Sequence, residues 1–212
     1  MRCCTLEGTD KLFSSQARRY AKRFRRRGLD KAQQSIATAL ERLGVEQKSI
    51  LEIGCGIGGL HLMLLKRGAI SAVGVEISGG MIEKANELAT ELGVKEKTTY
   101  YQGDIIFADG RIPSADIVIL DKVLCCHPDP KLLVERSTEK ARTLYAVSYP
   151  RDNWLARLLF ASSEKIGTLF RWSFHPFYHK PSLLDSMIVS QGLAVVYSET
   201  TLIWQVKIFR KG

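Results

Sequence analysis

Residues 51–59 read LEIGCGIGG, an apolar run that leads into a glycine-rich turn. The apolar residues 50–53 predict a short buried strand, and helical periodicity resumes over residues 60–66. Glycines between a strand and a helix let the backbone approach a ligand, because no Cβ stands in the way. This context predicts a nucleotide-type binding loop, whose contacts are expected at Gly54, Gly56 and Gly58.

Strand and helix signals alternate along the rest of the chain. Further strands are predicted over residues 72–75, 98–101, 117–120 and 144–148, and helices over 81–92, 131–138, 154–170 and 182–191. Two closing strands, over 194–198 and 203–209, have so short a connection that they must be antiparallel. The expected fold class is therefore α/β: a Rossmann-like, doubly wound seven-stranded sheet, mostly parallel with an antiparallel C-terminal strand.

The basic charge of the chain is concentrated near its N-terminus. Residues 1–28 carry a net charge of +7, and the other 184 residues carry only +2. Apolar residues recur at helical spacing from Phe13 to Phe24, Gly28 can end that helix, and Asp30 with Gln33 resembles a capping box. We therefore expect residues 1–44 to form a basic helical arm or lid, which can offer cations to an anionic substrate, and residues 45–212 to form the ligand-binding domain.

Composition excludes several protein classes. A hydrophobic content of 45% with 25% charged residues is typical of a globular protein. No apolar run approaches the roughly 20 residues that span a bilayer, and no signal peptide is visible, so a cytoplasmic protein without a membrane span is expected. The five cysteines are odd in number and form no CxxC motif, which predicts reduced thiols and no metal site. The oligomeric state stays open.

Two acidic residues indicate which cofactor the loop takes. Glu76 lies 22 residues after Gly54, at the end of the second predicted strand, where a carboxylate can accept hydrogen bonds from both ribose hydroxyls. The loop also fits the dinucleotide pattern GxGxxG, so a NAD-type oxidoreductase is an alternative. Glu52 would repel a pyrophosphate, however, and it can balance a cofactor that carries an ammonium and a sulfonium.

The chain resembles the class I S-adenosylmethionine-dependent methyltransferases over about residues 30–210. The segments that carry the likeness are EIGCGIG at 52–58, VGVEIS at 73–78, GDI at 103–105 and DIVILD at 116–121. The resemblance implies that residues 45–212 form a methyltransferase domain and that S-adenosyl-L-methionine is its cofactor.

The same resemblance assigns expected roles to the cofactor-binding residues. The methionine part would lie against Glu52, the three loop glycines and Asp121, which also borders the substrate pocket. Glu76, with its neighbour Ile77, would hold the ribose. Asp104 would accept a hydrogen bond from the adenine amino group, and the Ile105 backbone would meet the edge of the ring.

The acceptor is expected to be a small molecule, methylated at oxygen or sulfur, with an anionic carboxylate or a thiol among the candidates. His127 follows the fourth strand and could act as a general base. The aromatic segment 171–181 adds His175, Tyr178 and His179 as catalytic candidates.

A finer likeness concerns residues 120–128, 148–150, 154, 157, 165–170 and 178–179, which are similar to magnesium-protoporphyrin O-methyltransferases. That resemblance implies methylation of a propionate carboxylate on a planar tetrapyrrole. An RNA methyltransferase that uses the arm against phosphates is the alternative. The nearly neutral body argues against nucleic acid as a partner.

Overall fold

The computed structural model describes residues 6–108, 110–158 and 176–212. Its helices are α1 (Leu6–Arg27), α2 (Lys31–Arg42), α3 (Gly59–Lys66), α4 (Gly79–Glu91), α5 (Pro130–Glu139) and α6 (Pro181–Val189). Its strands are β1 (Ser49–Ile53), β2 (Ser71–Glu76), β3 (Thr98–Gln102), β4 (Ala115–Asp121), β5 (Ala141–Pro150), β6 (Leu193–Thr200) and β7 (Trp204–Lys211). Short 3₁₀ turns occur at Lys95–Lys97, Ile105–Phe107 and Leu124–Cys126, and residues 154–158 are also helical.

Within the described residues, seven strands form one sheet in the order β3-β2-β1-β4-β5-β7-β6. Strands β1 to β5 pair in parallel, while β7 lies antiparallel between β5 and β6. The predicted fold class, including the antiparallel strand near the C-terminus, is confirmed. The strand order reverses beside β1, and open α/β sheets bind ligands where the order reverses.

Both faces of the sheet are covered by helices, as the apolar sequence of β4 predicts. Ile117 and Ile119 point into one core, which they share with residues of α1 to α4. Val118 and Leu120 point into the other, which they share with residues of α5 and α6. Successive side chains of a strand face opposite sides, so a strand that is apolar throughout must be buried on both.

The boundary between α5 and β5 differs from the prediction. Strand β5 begins at Ala141, three residues before the predicted position, because α5 ends at Glu139 and only Lys140 separates the two elements. Of the predicted helix over residues 154–170, only residues 154–158 belong to the described chain, and they are helical. No helix in the described ranges is long and apolar enough to cross a bilayer.

Helix α2 begins as its sequence predicts. Gly28 adopts a φ of 64° and its N–H donates to Phe24 O (2.7 Å), which closes α1. Asp30 then caps α2, accepting from the backbone N–H groups of Ala32 and Gln33, and the Gln33 side chain accepts from the Asp30 N–H. The predicted capping box is present.

Helix α1 packs along α4 and caps its first turn. Asp10 Oδ1 accepts the Gly79 N–H and Ser14 Oγ accepts the Gly80 N–H, each at 3.0 Å. These N–H groups lie in the turn where a helix has no internal acceptors. At the other end of the two helices, Arg25 forms a bidentate pair with Glu91. Ala17 and Ala21 of α1 are buried between these contacts, so the described part of the arm belongs to the core.

The close approach of α1 to α4 gives a testable prediction. A Cβ at Gly80 would lie 2.9 Å from the backbone Cα of Ser14, so we expect Gly80→Ala to push α1 away from α4. Trypsin should then cleave faster within residues 22–27, and the midpoint of thermal unfolding should fall.

Gly79→Ala is the matched control for this substitution. It brings the same gain in helix propensity, but its Cβ would meet only the end of the flexible Gln102 side chain at 3.1 Å. Equal cleavage rates in the two variants would show that this contact does not hold α1 in place.

Candidate functional site

A cavity of about 670 Å³ opens at the carboxyl ends of β1, β2 and β4. The loops after these strands form its floor and walls, and helix α1 and the start of α2 cover it from above. The residues that α1 contributes to the lining are Thr9, Phe13, Tyr20, Arg23 and Phe24. Its volume lies within the range of small-molecule sites.

The glycine-rich loop turns sharply at the floor of this cavity. Gly54 adopts a φ of 64° and donates its N–H to Val75 O (2.8 Å), which ties the loop to β2. A Cβ at Gly54 would stand 2.5 Å from the Val123 side chain. At Gly56, by contrast, nothing lies within 4 Å of the position that a Cβ would take. The loop therefore presents bare backbone to the cavity at Gly56.

Gly58 lies beside a buried histidine. It is absent from the described residues that line the cavity. A Cβ at this position would lie 2.8 Å from the ring of His61, behind the loop. Gly58 therefore packs closely against His61, and its contact with a ligand stays a prediction.

Glu76 ends β2 with its carboxylate held by backbone donors. Its Oε2 accepts the Gly56 N–H at 2.8 Å and its Oε1 accepts the Ser78 N–H at 2.9 Å. Burial raises the pKa of the Glu76 carboxyl, and these two hydrogen bonds oppose the rise. Each carboxylate oxygen can accept a further hydrogen bond, so the pair of oxygens suits a diol. Ile77, predicted beside Glu76, lines the cavity as well.

Glu52 is buried at the end of β1 and lines the cavity, yet it is tied to a partner behind the loop. Its Oε2 lies 2.6 Å from His61 Nδ1 and 3.3 Å from the His61 backbone nitrogen. Tyr100 Oη lies 3.0 Å from the other ring nitrogen of His61. Burial raises the pKa of Glu52, and the hydrogen bond from His61 opposes that rise.

Asp104 and Ile105 border the cavity in the loop after β3. Asp104 Oδ1 accepts the Ile106 N–H at 3.0 Å and caps the 3₁₀ turn Ile105–Phe107. Its Oδ2 lies 3.8 Å from His127 Nε2, a side chain of the loop after β4. Both predicted adenine contacts therefore lie at the same cavity as the glycine loop.

Asp121 and Lys122 lie at the end of β4, on the wall toward the arm. Asp121 Oδ1 accepts the Ser148 hydroxyl at 2.5 Å. Lys122 has a φ of 61°, an unfavourable backbone conformation for a lysine, and its Nζ lies 2.6 Å from Asp30 and 3.2 Å from Asp121. Burial disfavours the charge of Asp30, but the Lys122 ammonium outweighs it and lowers the pKa of that carboxyl. The Nζ also lies 5.4 Å from the centre of the Trp204 ring.

Among the three predicted catalytic residues, His127 lines the cavity. Its Nδ1 accepts the Asp129 N–H at 3.0 Å. Tyr178 and His179 are absent from the described lining: Tyr178 donates to Asp152 (2.8 Å), and His179 Nε2 lies 3.0 Å from the backbone oxygen of His127. The catalytic roles of Tyr178 and His179 stay predictions. His175, the fourth candidate, lies outside the described residues.

Two residues that the sequence analysis did not single out belong to the site. His61 stands between Leu60 and Leu62 in the helix sequence GLHLMLLK, whose only other polar side chain is the terminal Lys66, and this position among apolar residues is the signal that could have revealed it. Lys122 gave no comparable signal, because its partner Asp30 is 92 residues away in the chain.

The charges that surround the cavity favour a ligand with positive groups. Among the described residues that line it, the carboxylates outnumber the Lys and Arg side chains by five to two. The acidic residues are Asp30, Glu52, Glu76, Asp104 and Asp121, and the basic residues are Arg23 and Lys122. A dinucleotide pyrophosphate would be repelled here. Adenosine joined to a sulfonium and an ammonium fits the same donors and acceptors.

Known proteins match the part of the chain that forms this site. Residues 50–144 match the family described as a methyltransferase domain. Ribosomal protein L11 methyltransferase from Pectobacterium carotovorum is 36% identical over 80 residues, which are 38% of this chain and 26% of that protein. The chain spans only 18% to 33% of the length of such curated relatives.

Solved structures resemble nearly the whole chain. Magnesium protoporphyrin IX methyltransferase from Synechocystis, solved with bound SAH, superposes with a TM-score of 0.71 over 95% of this chain and 99% of that one, at 18% identity. An O-methyltransferase family 2 protein from Planctomyces limnophilus, in complex with apigenin, gives 0.71 over 95% and 65% of the two chains, at 17% identity. At these identities the likeness shows the fold.

The family match covers the glycine-rich loop, the end of β2 and the loops after β3 and β4, which together form the floor of the cavity. The structural likeness extends that agreement to the arm and the C-terminal strands. Residues 50–144 therefore belong to the methyltransferase domain family, and nearly the whole chain has the fold of class I S-adenosylmethionine-dependent methyltransferases.

Proposed function

We propose that this protein transfers the methyl group of S-adenosylmethionine to an oxygen or sulfur atom of a small molecule, with an anionic carboxylate or a thiol as acceptor. The observation that carries the proposal is the covered cavity, which joins a nucleoside-type site to an apolar space beneath α1. When bound, the cofactor supplies a methyl group on a positively charged sulfur, which leaves as a neutral thioether.

The residues around the loop bind and orient the cofactor. Glu76 accepts from the two ribose hydroxyls, and Asp104 with Ile105 meets the adenine. Glu52 and Asp121 face the positive groups of the methionine part. The bare backbone at Gly56 admits the cofactor to the floor without a steric barrier. These contacts fix the direction of the methyl group, which is the main contribution that a protein makes to such a transfer.

The aromatic residues that cover the cavity favour a small molecule as the methyl acceptor. Phe13 and Phe24 of α1 line the cavity, and Trp204 lines it from the C-terminal hairpin. An apolar, partly enclosed space suits a small molecule with a flat or apolar body. Some relatives act on a protein, as the name ribosomal protein L11 methyltransferase states, and that class of acceptor is an outcome that the experiment below distinguishes.

The charge of Arg23 favours an anionic molecule as the methyl acceptor. Of the two basic residues in the lining, Lys122 is neutralised by Asp30 and Asp121. None of the ion pairs formed among the described residues involves Arg23, so its guanidinium can pair with a ligand carboxylate. A carboxylate or thiolate acceptor needs no general base, whereas His127 would accept the proton of a hydroxyl acceptor.

A methyl-transfer screen with labelled cofactor tests the proposal directly. Thiols, phenols, carboxylic acids and porphyrins are offered in parallel with RNA and with a ribosomal protein extract. We expect label in a small acid or thiol. Label confined to RNA or protein would overturn the small-molecule assignment. Binding of NAD in calorimetry, without binding of S-adenosylhomocysteine, would overturn the methyltransferase assignment itself.

Glu76→Gln tests the ribose contact. The amide has one acceptor oxygen in place of two, and its NH₂ would face a backbone N–H of Gly56 or Ser78. We expect the affinity for S-adenosylhomocysteine to fall by about 1–3 kcal/mol, or about five- to 150-fold in Kd. Calorimetry measures the change. The exposed Glu96→Gln is the control for lost charge, and an unchanged Kd in Glu76→Gln would mean that the ribose lies elsewhere.

Arg23→Ala tests the anionic acceptor. Loss of a charge-assisted hydrogen bond should raise the KM for a carboxylate acceptor about tenfold, with little change in kcat. Lys22→Ala removes the same charge from the exposed neighbouring position and should leave KM nearly unchanged. An equal rise in both variants would indicate a general electrostatic effect of the arm and would contradict a direct contact at Arg23.

A further inference from the structure

Three side chains form a continuous hydrogen-bonded chain behind the glycine-rich loop. Glu52 Oε2 lies 2.6 Å from His61 Nδ1, and His61 Nε2 lies 3.0 Å from Tyr100 Oη. The His61 side chain is fully buried, and the Glu52 side chain is 3% exposed. The three residues come from β1, α3 and β3, so their hydrogen bonds link three elements beneath the cofactor cavity.

Two glycines of the binding motifs make room for these three hydrogen-bonded side chains. A Cβ at Gly58 would lie 2.8 Å from the His61 ring. A Cβ at Gly74, on β2, would lie 2.8 Å from the Tyr100 ring and 2.7 Å from Cys55 Sγ. Real Cβ atoms do not approach other atoms so closely. The rings of His61 and Tyr100, rather than a ligand, therefore leave no room for a side chain at these two positions.

The donors and acceptors of the three side chains determine which atoms carry the protons. When Glu52 is ionised, its carboxylate can only accept, so His61 Nδ1 then carries a proton and donates it. His61 Nε2 is then the acceptor for the Tyr100 hydroxyl at 3.0 Å, and the other acceptor in reach of that hydroxyl, Ala85 O, lies farther away at 3.5 Å. Both contacts to Glu52 use Oε2. Among the described residues, no donor reaches Glu52 Oε1, although Glu52 lines the cavity.

The groups around Glu52 make its charge depend on His61. The other titratable groups that face it are Asp121 and Glu76, which are acidic, and Cys55 and Tyr100, which are neutral. Two neighbouring carboxylates and burial all disfavour a third anion. Within the described residues, the His61 hydrogen bonds favour the Glu52 anion, and a positively charged ligand beside Oε1 would favour it further.

We propose that His61 and Tyr100 are positioning residues, which hold Glu52 as an anion with Oε1 left for the positive charge of the bound cofactor. The inference rests on the proposed function, because it takes S-adenosylmethionine as the ligand of the cavity. It explains why a buried histidine stands in the first turn of α3, directly behind the loop. It also assigns to Gly58 and Gly74 the space that this support requires.

Two substitutions of His61 separate positioning from simple filling of space. The amide nitrogen of His61→Asn can take the place of Nδ1 and still donate to Glu52. The amide of His61→Gln takes the place of Nε2, so it reaches Tyr100 and leaves Glu52 without its side-chain donor. At neutral pH we expect His61→Asn to bind S-adenosylhomocysteine and S-adenosylmethionine within about threefold of the wild type. His61→Gln should bind both about tenfold more weakly.

The pH dependence of Kd supplies a readout that packing alone would not move. The His61 hydrogen bond lowers the pKa of Glu52, so its removal should raise that pKa. As the pH falls, His61→Gln should therefore lose affinity at a higher pH than the wild type. Tyr100→Phe should shift the profile in the same direction by a smaller amount, because the ring of His61 loses the donor that fixes its tautomer.

The outcomes are distinguishable. Binding by the wild type with the same Kd and pH profile in His61→Gln and Tyr100→Phe overturns this inference and leaves the proposed function intact. Failure of the wild type to bind either cofactor form overturns the proposed function, and this inference with it. If circular dichroism shows that a His61 variant does not fold, the half-buried Tyr100→Phe decides, and an unshifted profile in that variant overturns the proposal.

Discussion

The hydrogen bond from the Gly56 N–H to the Glu76 carboxylate joins the glycine-rich loop after β1 to the end of β2. It exists because parallel strands end at the same edge of the sheet, and because Gly56 can adopt a φ of 53° without strain. The bond holds a buried carboxylate open toward the cavity and fixes the floor on which a nucleoside can lie. The acidic wall, the aromatic roof and the buried histidine all take their positions relative to this junction.

Carboxylates of the loops surround this junction, and the basic helix α1 covers it. Helix α1 reaches the site because Asp10 and Ser14 satisfy the first turn of α4, while Ala17 and Ala21 allow the two helices to approach closely. The same helix brings Arg23 to the cavity. The carboxylates of the loops and the guanidinium of Arg23 on α1 therefore divide the lining of the cavity by charge.

The sequence predicted most of the sheet, because its strands are short apolar runs separated by clear turn residues, and because the connection between β6 and β7 is too short for a parallel crossover. It also indicated Glu76 and the loop glycines, whose spacing is local. It could not indicate the partners of Glu52 and Lys122, since hydrogen bonds between elements leave no periodic pattern. The packing of Gly58 could not be predicted for the same reason: the atom that its Cβ would strike belongs to a side chain three positions later, oriented by Glu52 and Tyr100.

Asp30 serves two structures at once, because one carboxylate oxygen caps α2 and the other pairs with Lys122. Substitutions at positions 30 and 122 therefore have unequal consequences in related sequences. Replacement of Lys122 by glycine would relieve its backbone conformation and leave the cap of α2 intact. Replacement of Asp30 first would remove the cap and one of the two anions beside Lys122 in a single step. Divergence at this pair should accordingly begin at position 122, and lineages that keep the lysine should keep the aspartate.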